Sequence, residues 1–339
     1  EHKLGIHASP TAVMGYGENE GAVGYLIGEE CRGIQYMFTM MNNARLGVGL
    51  QGLSVAERAY QQAVTFAKDR VQMRDAVTGS KSSVAIAHHP DVRRMLLRMR
   101  AQTEAMRCLA YVAAAGLDVA NHHPDPEVKA SAQERVDLLI PIVKAWSTDL
   151  GNEVASTNVQ VHGGMGFIEE TGAAQLYRDV RIAAIYEGTN GIQSIDLVAR
   201  KLGRDSGLAM RGLLAEMQET VTALQALDDP DSQAIAPLLQ DGIESLGRVT
   251  DWIVGQMAGQ PGEVLSGATS YMRLAGYVVG GWLLAHSAAQ MGGRDDSFAD
   301  QKRKIARFFA EQLLPEGTAM ERPITCGGSL VAAFEVAAL

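Results

Sequence analysis

Apolar residues recur at intervals of three and four along most of the chain, and this spacing predicts a mainly α-helical protein. The first such run begins near residue 38 and ends near Asp69. Two comparable runs follow it, separated by polar loops, which is typical of long helices packed antiparallel in a bundle. A shorter run extends from about Gly191 to Leu202. The pattern therefore predicts a four-helix bundle over residues 37–203.

The third long helix has two possible starting points in the sequence. Ser131 and Glu134 form a capping box, which predicts a helix N-terminus near residue 131. Pro141 lies further along the same run, and it either kinks the helix or marks its true start.

The pattern changes at both ends of the predicted bundle. Residues 1–36 are rich in glycine and β-type residues, which predicts short strands and turns. Residues 204–339 contain four further helical segments, separated by loops with glycine, proline or aspartate. This second half has many apolar residues but no cluster of catalytic character. We expect it to be an additional helical domain with a packing or assembly role.

Composition narrows the range of functions. The 339 residues are 47% hydrophobic and carry a net charge of −9 at pH 7, which argues against nucleic acid or an anionic membrane as a partner. The three cysteines lie far apart, so we expect reduced thiols in a reducing, cytoplasmic compartment. No apolar run is long enough to span a membrane. The histidine pairs at 88–89 and 122–123 lack the spacing of a metal site, so no metal is expected.

The segment from residue 185 to 193 has the strongest functional signature. Glu187 is followed by Gly188, and then by Thr189 and Asn190, which are good helix N-caps. Glu187 is therefore predicted to lie on a short connector before a helix N-terminus, where free backbone N–H groups and a glycine allow a ligand to approach. Such a carboxylate suits proton abstraction. The alternative is a surface glutamate that only favours the helix dipole.

Three other features each allow two interpretations. The glycines after Gln160 could form only a helix C-cap and turn, or their backbone N–H groups could hold the phosphates or sugar of a nucleotide. Arg70, at the end of the first helix, could be no more than a cation that favours the helix dipole. Arg45 could snorkel along an aliphatic face.

Together and in this order, the motifs resemble the C-terminal half of the flavin-dependent acyl-CoA dehydrogenases. The matching segments are residues 1–6, Asn42 to Arg45, Arg70, Gln160 to Gly166, and Ile185 to Gln193. Residues beyond about 203 resemble the extra C-terminal helical domain of a long subgroup, which includes the dehydrogenases acting on 3-methylthiopropanoyl-CoA. Residues 1–36 resemble the tail of the family's middle β-domain. We therefore expect a fragment of a longer protein, which on its own binds FAD weakly or not at all.

The resemblance implies an FAD-dependent enzyme that converts an acyl-CoA thioester into a trans-2-enoyl-CoA. The carboxylate matching Glu187 takes the α-proton, and the β-carbon gives a hydride to flavin N5. An electron-transfer flavoprotein is the implied electron acceptor, and a homo-oligomer, at least a dimer, is the implied assembly. Two alternatives stay open: an acyl-CoA oxidase, which differs in its electron acceptor, and a non-catalytic helical assembly module of the same fold.

The same resemblance assigns two further sets of residues. The positions that match FAD contacts are Arg70, Gln160, Val161, His162, Gly163, Gly164, Thr189, Asn190 and Gly191. The positions that match the acyl-CoA path are Asn42, Asn43, Ala44, Arg45 and Gly188. In the family, the arginine matching Arg70 usually reaches FAD across a subunit boundary.

Overall fold

The computed structural model describes residues 1–79, 81–335 and 337, and this part of the chain is predominantly helical, as predicted. Three long helices come first: α1 (Gly33–Asp69), α2 (Pro90–His122) and α3 (Pro126–His162). An antiparallel hairpin of β1 (Val71–Arg74) and β2 (Ser83–Ala85) connects α1 to α2.

Shorter elements surround the bundle and complete it. A 3₁₀ turn, Ile86–His88, precedes α2. The elements after α3 are the 3₁₀ turns Gly163–Phe167 and Glu169–Thr171, α4 (Ala173–Val180), the 3₁₀ turn Arg181–Ala184, α5 (Asn190–Ile195), the π-helical turn Asp196–Lys201 and α6 (Leu202–Arg204). The last three are continuous and correspond to the predicted fourth helix, which packs against α3.

The second half contains the four predicted helical segments and several short helices that the sequence pattern did not indicate. In chain order they are α7 (Leu208–Gln225), α8 (Pro230–Gln256), α9 (Pro261–Ser266), α10 (Ala268–Ala289), α11 (Ser297–Gln312), α12 (Leu314–Thr318), α13 (Glu321–Cys326) and α14 (Gly328–Ala333). The end of the predicted second domain, Ala338 and Leu339, lies outside the described residues.

Helices α1 and α3 pack closely and run in the same direction, because α2 between them in the chain runs antiparallel to both. Near the middle of both helices, a Cβ atom on Gly52 would lie 2.5 Å from the Ser147 carbonyl oxygen, so the two backbones are almost in contact. Near their C-terminal ends, the Phe66 ring stacks on His162 with 4.2 Å between ring centroids. Small residues are therefore required where the two helices cross.

Trp146 of α3 joins the bundle to the second half. Its side chain is buried against Gly276 and Gly280 of α10, where a Cβ atom would lie 2.3 Å and 2.4 Å from the indole ring. The ring also meets Tyr277 edge-on, with 5.7 Å between centroids. The buried apolar residues of both halves belong to one continuous core.

Neither predicted start of α3 is observed. The helix begins at Pro126 rather than near Ser131, because the Asp125 carboxylate accepts a hydrogen bond from the Glu127 N–H (2.8 Å) and caps the earlier start. Pro141 neither starts nor ends the helix. Its neighbours Ile140 and Ile142 are buried, so tertiary packing holds the helix across the missing N–H donor.

The predicted short strands of residues 1–36 are also absent from the described structure, in which residues 1–32 form turns and extended segments and α1 already begins at Gly33. A strand needs a partner for its backbone N–H and C=O groups. Here Val23, Tyr25 and Ile27 are 88%, 89% and 88% exposed. Contact with the bundle comes from the first residues, where the Ile6 N–H donates to the Asp179 carboxylate (2.6 Å).

Cys31, Cys108 and Cys326 are free thiols. Among the described residues, none of the helices combines the length and apolar character needed to cross a membrane, and no cluster of residues is suited to hold a metal ion.

Candidate functional site

Glu187 lies on the connector between the 3₁₀ turn Arg181–Ala184 and α5, as predicted, and is partly buried. Its φ is 55° and that of Gly188 is 82°, so two successive residues adopt left-handed backbone conformations. This conformation is unfavourable for a residue with a Cβ atom, such as Glu187. Thr189 is the N-cap of α5, because its Oγ1 accepts a hydrogen bond from the Ile192 N–H (3.3 Å).

Two buried side chains hold the carbonyl groups of this connector. Gln193 Nε2 donates to the Glu187 carbonyl oxygen (3.4 Å), and Lys144 Nζ donates to the Gly188 carbonyl oxygen (2.7 Å). Lys144 Nζ also donates to Asn190 Oδ1 (2.9 Å). Lys144 and Gln193 are both fully buried. The backbone around Glu187 is therefore fixed from the inside of the bundle.

The groups around Lys144 form a buried polar network. Asn190 Nδ2 donates to the Asp149 carboxylate (2.7 Å), which extends the network along α3. Burial lowers the pKa of Lys144 to about 8, because desolvation disfavours the ammonium form. Burial also raises the pKa of Asp149. Tyr186 closes the site on the side of α1 by donating its hydroxyl hydrogen to Gln51.

The Glu187 carboxylate itself is left available. It forms no hydrogen bond or close ion pair with another described residue, and the backbone N–H groups of Glu187 and Gly188 have no acceptor within this part of the chain. The arrangement offers a carboxylate that can accept a proton, next to two N–H groups that can donate to an oxygen of a bound molecule.

Arg45, which the resemblance places on the acyl-CoA path, forms a buried ion pair. Its guanidinium lies 3.0 Å from Asp196 Oδ2, and Asp196 also pairs with Arg200 (2.7 Å). The snorkelling interpretation is wrong, because Arg45 is only 7% exposed and its charge is neutralised inside the protein. Of its predicted neighbours on the path, Asn43 is exposed, while Asn42 and Ala44 are partly buried.

A cleft of about 810 Å³ lies on the other side of the connector. Thr189, Asn190 and Gly191 contribute to its wall, together with Arg98 and Arg181. Arg98 is paired with Glu316 of α12, whereas the Arg181 guanidinium has no hydrogen bond or ion pair with the residues that the structure describes. Asp149 and Glu153 also line the cleft, so its wall carries both charges, and Glu187 is not part of it.

The remaining predicted FAD contacts lie where α1 and α3 end, away from the Glu187 connector. Arg70 directly follows α1, and Gln160 to Gly164 end α3, about 24 Å from Lys144 at 1.5 Å per residue along the helix. Gln160, Gly163, Gly164 and Arg70 are exposed, but the Val161 and His162 side chains face the core. The structure does not bring this set together with Glu187 in one chain.

Sequence reasoning missed three residues of the site: Lys144, Gln193 and Arg181. The only signal for Lys144 is a charged residue inside an otherwise apolar stretch of α3, from Leu138 to Trp146. Gln193 is only the last residue of the matching segment 185–193, and Arg181 has no distinguishing local pattern. Their roles depend on how separate helices pack, which a one-dimensional pattern does not specify.

Comparisons with known proteins identify related chains. Residues 31–203 match the family model for the acyl-CoA dehydrogenase C-terminal domain, and residues 213–335 match a model described as acetyl-CoA dehydrogenase C-terminal like. The chain is 45% identical, over 98% of its length, to 3-methylmercaptopropionyl-CoA dehydrogenase of Ruegeria pomeroyi. It spans 57% of the length of that relative.

The fold is also similar to solved structures. ACDH-11 of Caenorhabditis elegans, in complex with C11-CoA, matches 93% of this chain and 49% of its own, with a TM-score of 0.76 and 21% identity. An acyl-CoA dehydrogenase of Bacillus anthracis complexed with FAD matches 90% of this chain and 51% of its own, with a TM-score of 0.68 and 20% identity. At these identities the likeness concerns the fold.

Proposed function

This chain belongs to the acyl-CoA dehydrogenase family, and we propose that it supplies the catalytic base of an FAD-dependent enzyme that oxidises an acyl-CoA thioester to a trans-2-enoyl-CoA. The observation that carries the proposal is the Glu187 connector. It combines a carboxylate without a hydrogen-bonding partner, two free N–H donors and a backbone fixed by buried side chains.

The chemistry of the described residues fits an anionic, diphosphate-containing cofactor. Arg181, which has no ion pair with a described residue, lines the cleft of Thr189 to Gly191 together with Asp149 and Glu153, and Arg70 is exposed directly after α1. A Cβ atom on Gly163 or Gly164 would meet no atom within 4 Å, so a ligand can approach the backbone there. These residues would hold FAD, which when bound accepts the β-hydrogen of the substrate as hydride.

In the proposed reaction, Glu187 takes the α-proton of the thioester. This proton is much less acidic than a carboxylic acid, so the enolate that forms needs hydrogen-bond donors at its oxygen. The unpartnered N–H groups of Glu187 and Gly188 lie on the same connector as the base and suit this role. The separation of Glu187 from Gln160–Gly164 favours a cofactor site shared between two copies of the chain, so we propose at least a dimer.

Three finer assignments rest on the relatives. The 45% identity makes 3-methylthiopropanoyl-CoA the first substrate to test. An electron-transfer flavoprotein is the proposed electron acceptor, and slow reoxidation of the reduced flavin by air in a stopped-flow experiment would support it over O₂. Residues 204–339 are proposed to form a helical domain that supports the bundle, since α10 packs on Trp146 and Glu316 pairs with Arg98.

The deciding experiment replaces Glu187 by Gln in the full-length protein. We expect turnover to fall roughly 10²- to 10⁴-fold, the usual contribution of a positioned proton acceptor. Glu170→Gln, at an exposed position on the 3₁₀ turn Glu169–Thr171, is the matched control and should leave turnover unchanged. Turnover of Glu187→Gln within about tenfold of the parent would remove Glu187 as the base.

A further inference from the structure

Lys144 is the one described lysine with no exposed surface. Placing an ammonium group there is unfavourable, because the protein interior does not replace its hydration. The neighbouring charge of Arg45 adds to this cost, while the carboxylates of Asp149 and Glu187 offset it. A lysine at this position therefore requires a specific reason, and its hydrogen-bond partners provide one.

Both partners of Lys144 belong to the connector that carries Glu187. The ammonium donates to the Gly188 carbonyl oxygen (2.7 Å), one residue after the base, and to Asn190 Oδ1 (2.9 Å), at the start of α5. Lys144 thus binds the connector on the C-terminal side of Glu187. Tyr186, bonded to Gln51, holds it on the N-terminal side.

The backbone at this point needs such support. Glu187 and Gly188 have φ values of 55° and 82°, and a left-handed conformation at a residue with a Cβ atom persists only where the surroundings enforce it. In this conformation the Glu187 and Gly188 carbonyl groups point to Gln193 and Lys144. Without the ammonium, the Gly188 carbonyl would have no donor and the connector would lose a restraint on the direction of the Glu187 side chain.

We propose that Lys144 is a positioning residue that fixes the left-handed connector and thereby aims the Glu187 carboxylate at its substrate. The proposal rests on the proposed function of Glu187. Lys144 does not touch the reacting atoms, so its removal should slow proton abstraction without weakening substrate binding. The fully buried Gln193 supports the adjacent carbonyl but carries no charge, which leaves Lys144 as the stronger donor.

The test compares Lys144→Met, Glu187→Gln and the double variant in the full-length, FAD-loaded protein. Lys144→Met keeps the length of the side chain and removes its donors. We expect kcat to fall roughly 10- to 100-fold, as for a catalytic group misplaced by about 1 Å, with KM within about threefold of the parent. The double variant should be no slower than Glu187→Gln alone, because Lys144 acts only through Glu187. Lys129→Met, on the same helix but not buried, is the matched control.

A second readout does not depend on activity. Amide hydrogen exchange of the peptide covering residues 190–195, whose Ile192 and Gln193 N–H groups donate to Thr189, should become at least about tenfold faster in Lys144→Met, while a peptide within α8 should be unchanged. If Lys144→Met does not fold, Lys144→Gln, which retains an N–H donor without the charge, takes its place with the same readouts and a smaller expected effect.

The outcomes separate the two proposals. If Glu187→Gln is disabled but Lys144→Met keeps the kcat and the amide exchange of the parent, the positioning role is refuted and the catalytic base stands. Losses that multiply in the double variant would likewise refute it, because Lys144 would then act independently of Glu187. If Glu187→Gln stays active, the proposed function fails, and faster exchange in Lys144→Met would still assign Lys144 to the connector.

Discussion

The ion pair between Arg45 and Asp196 offers a test of whether Arg45 serves the fold or the substrate. At a separation of 3.0 Å and an effective dielectric constant of about 20, the attraction between the two charges is about 5 kcal/mol. Replacing Asp196 by Asn removes one charge and leaves the buried Arg45 without a carboxylate partner. Breaking a buried pair in this way costs about 3–5 kcal/mol.

The matched control is the Arg211–Asp251 pair, which also links two helices at 2.7 Å but is exposed, at 45% and 66% of the two side chains. For an exposed pair the net contribution is about 0–1 kcal/mol, so Asp251→Asn should have little effect. The free energy of unfolding would be measured by urea denaturation of each variant. If Asp196→Asn costs no more than Asp251→Asn, the interpretation of Arg45 as a buried structural cation is wrong.

Substrate kinetics extend this test to function. If Arg45 acts through the ion pair, Arg45→Met and Asp196→Asn should both reduce stability and leave KM for the acyl-CoA close to that of the parent. If Arg45 instead binds the substrate directly, as the family resemblance implies, KM should rise in Arg45→Met and not in Asp196→Asn.

Three further predictions follow from the packing and the charges. Gly276→Ala should lower the free energy of unfolding by about 1–3 kcal/mol, because its Cβ would overlap the Trp146 ring. Gly212→Ala, with open space around it, is the control and should raise the free energy of unfolding by up to about 1 kcal/mol. Equal melting temperatures of the two variants would contradict the packing of the two halves. Thr189→Ala should lower the free energy of unfolding by about 1 kcal/mol and speed amide hydrogen exchange in α5, because it removes the N-cap. Unchanged exchange would show that the cap does not stabilise the helix. The pKa of Lys144 falls from 10.5 to about 8 on folding, so between these pH values the unfolded chain binds more protons than the folded one. The free energy of unfolding of the parent, relative to that of Lys144→Met, should therefore rise as the pH increases from about 8. A difference that does not depend on pH would refute the shift.

The local chemistry of the sequence predicted the connector well. A glutamate followed by glycine and then by two N-capping residues specifies a turn and a helix start within a few positions, so Glu187 and Thr189 lie where the pattern indicates. The helices were predictable for a similar reason, since a buried stripe repeats every three to four residues. Both signals are short in range and need no knowledge of the tertiary contacts.

The interior of the site was not predictable in this way. Arg45 and Asp196 are separated by 151 residues, and the snorkelling interpretation was reasonable without knowledge of that contact. The residues expected to form strands fail for a related reason. A strand is stabilised by pairing with another strand, and within the described part of the chain no strand pairs with residues 1–32.

The direction of α1 and α3 connects the site to the assembly of the proposed enzyme. Because the two helices are parallel, Arg70 and the glycines after Gln160 meet at one end of the bundle, while the Glu187 connector lies well back along the same helices. Each copy therefore carries the proposed base at one place and the proposed cofactor contacts at another, about 24 Å away along α3. Two copies in a symmetric pair could bring each base next to the partner's contacts, so each active site would need both chains. In that arrangement, Lys144 would orient a base of one subunit towards a cofactor held partly by the other. The packing of α1 against α3 would then both stabilise the bundle and complete the active site.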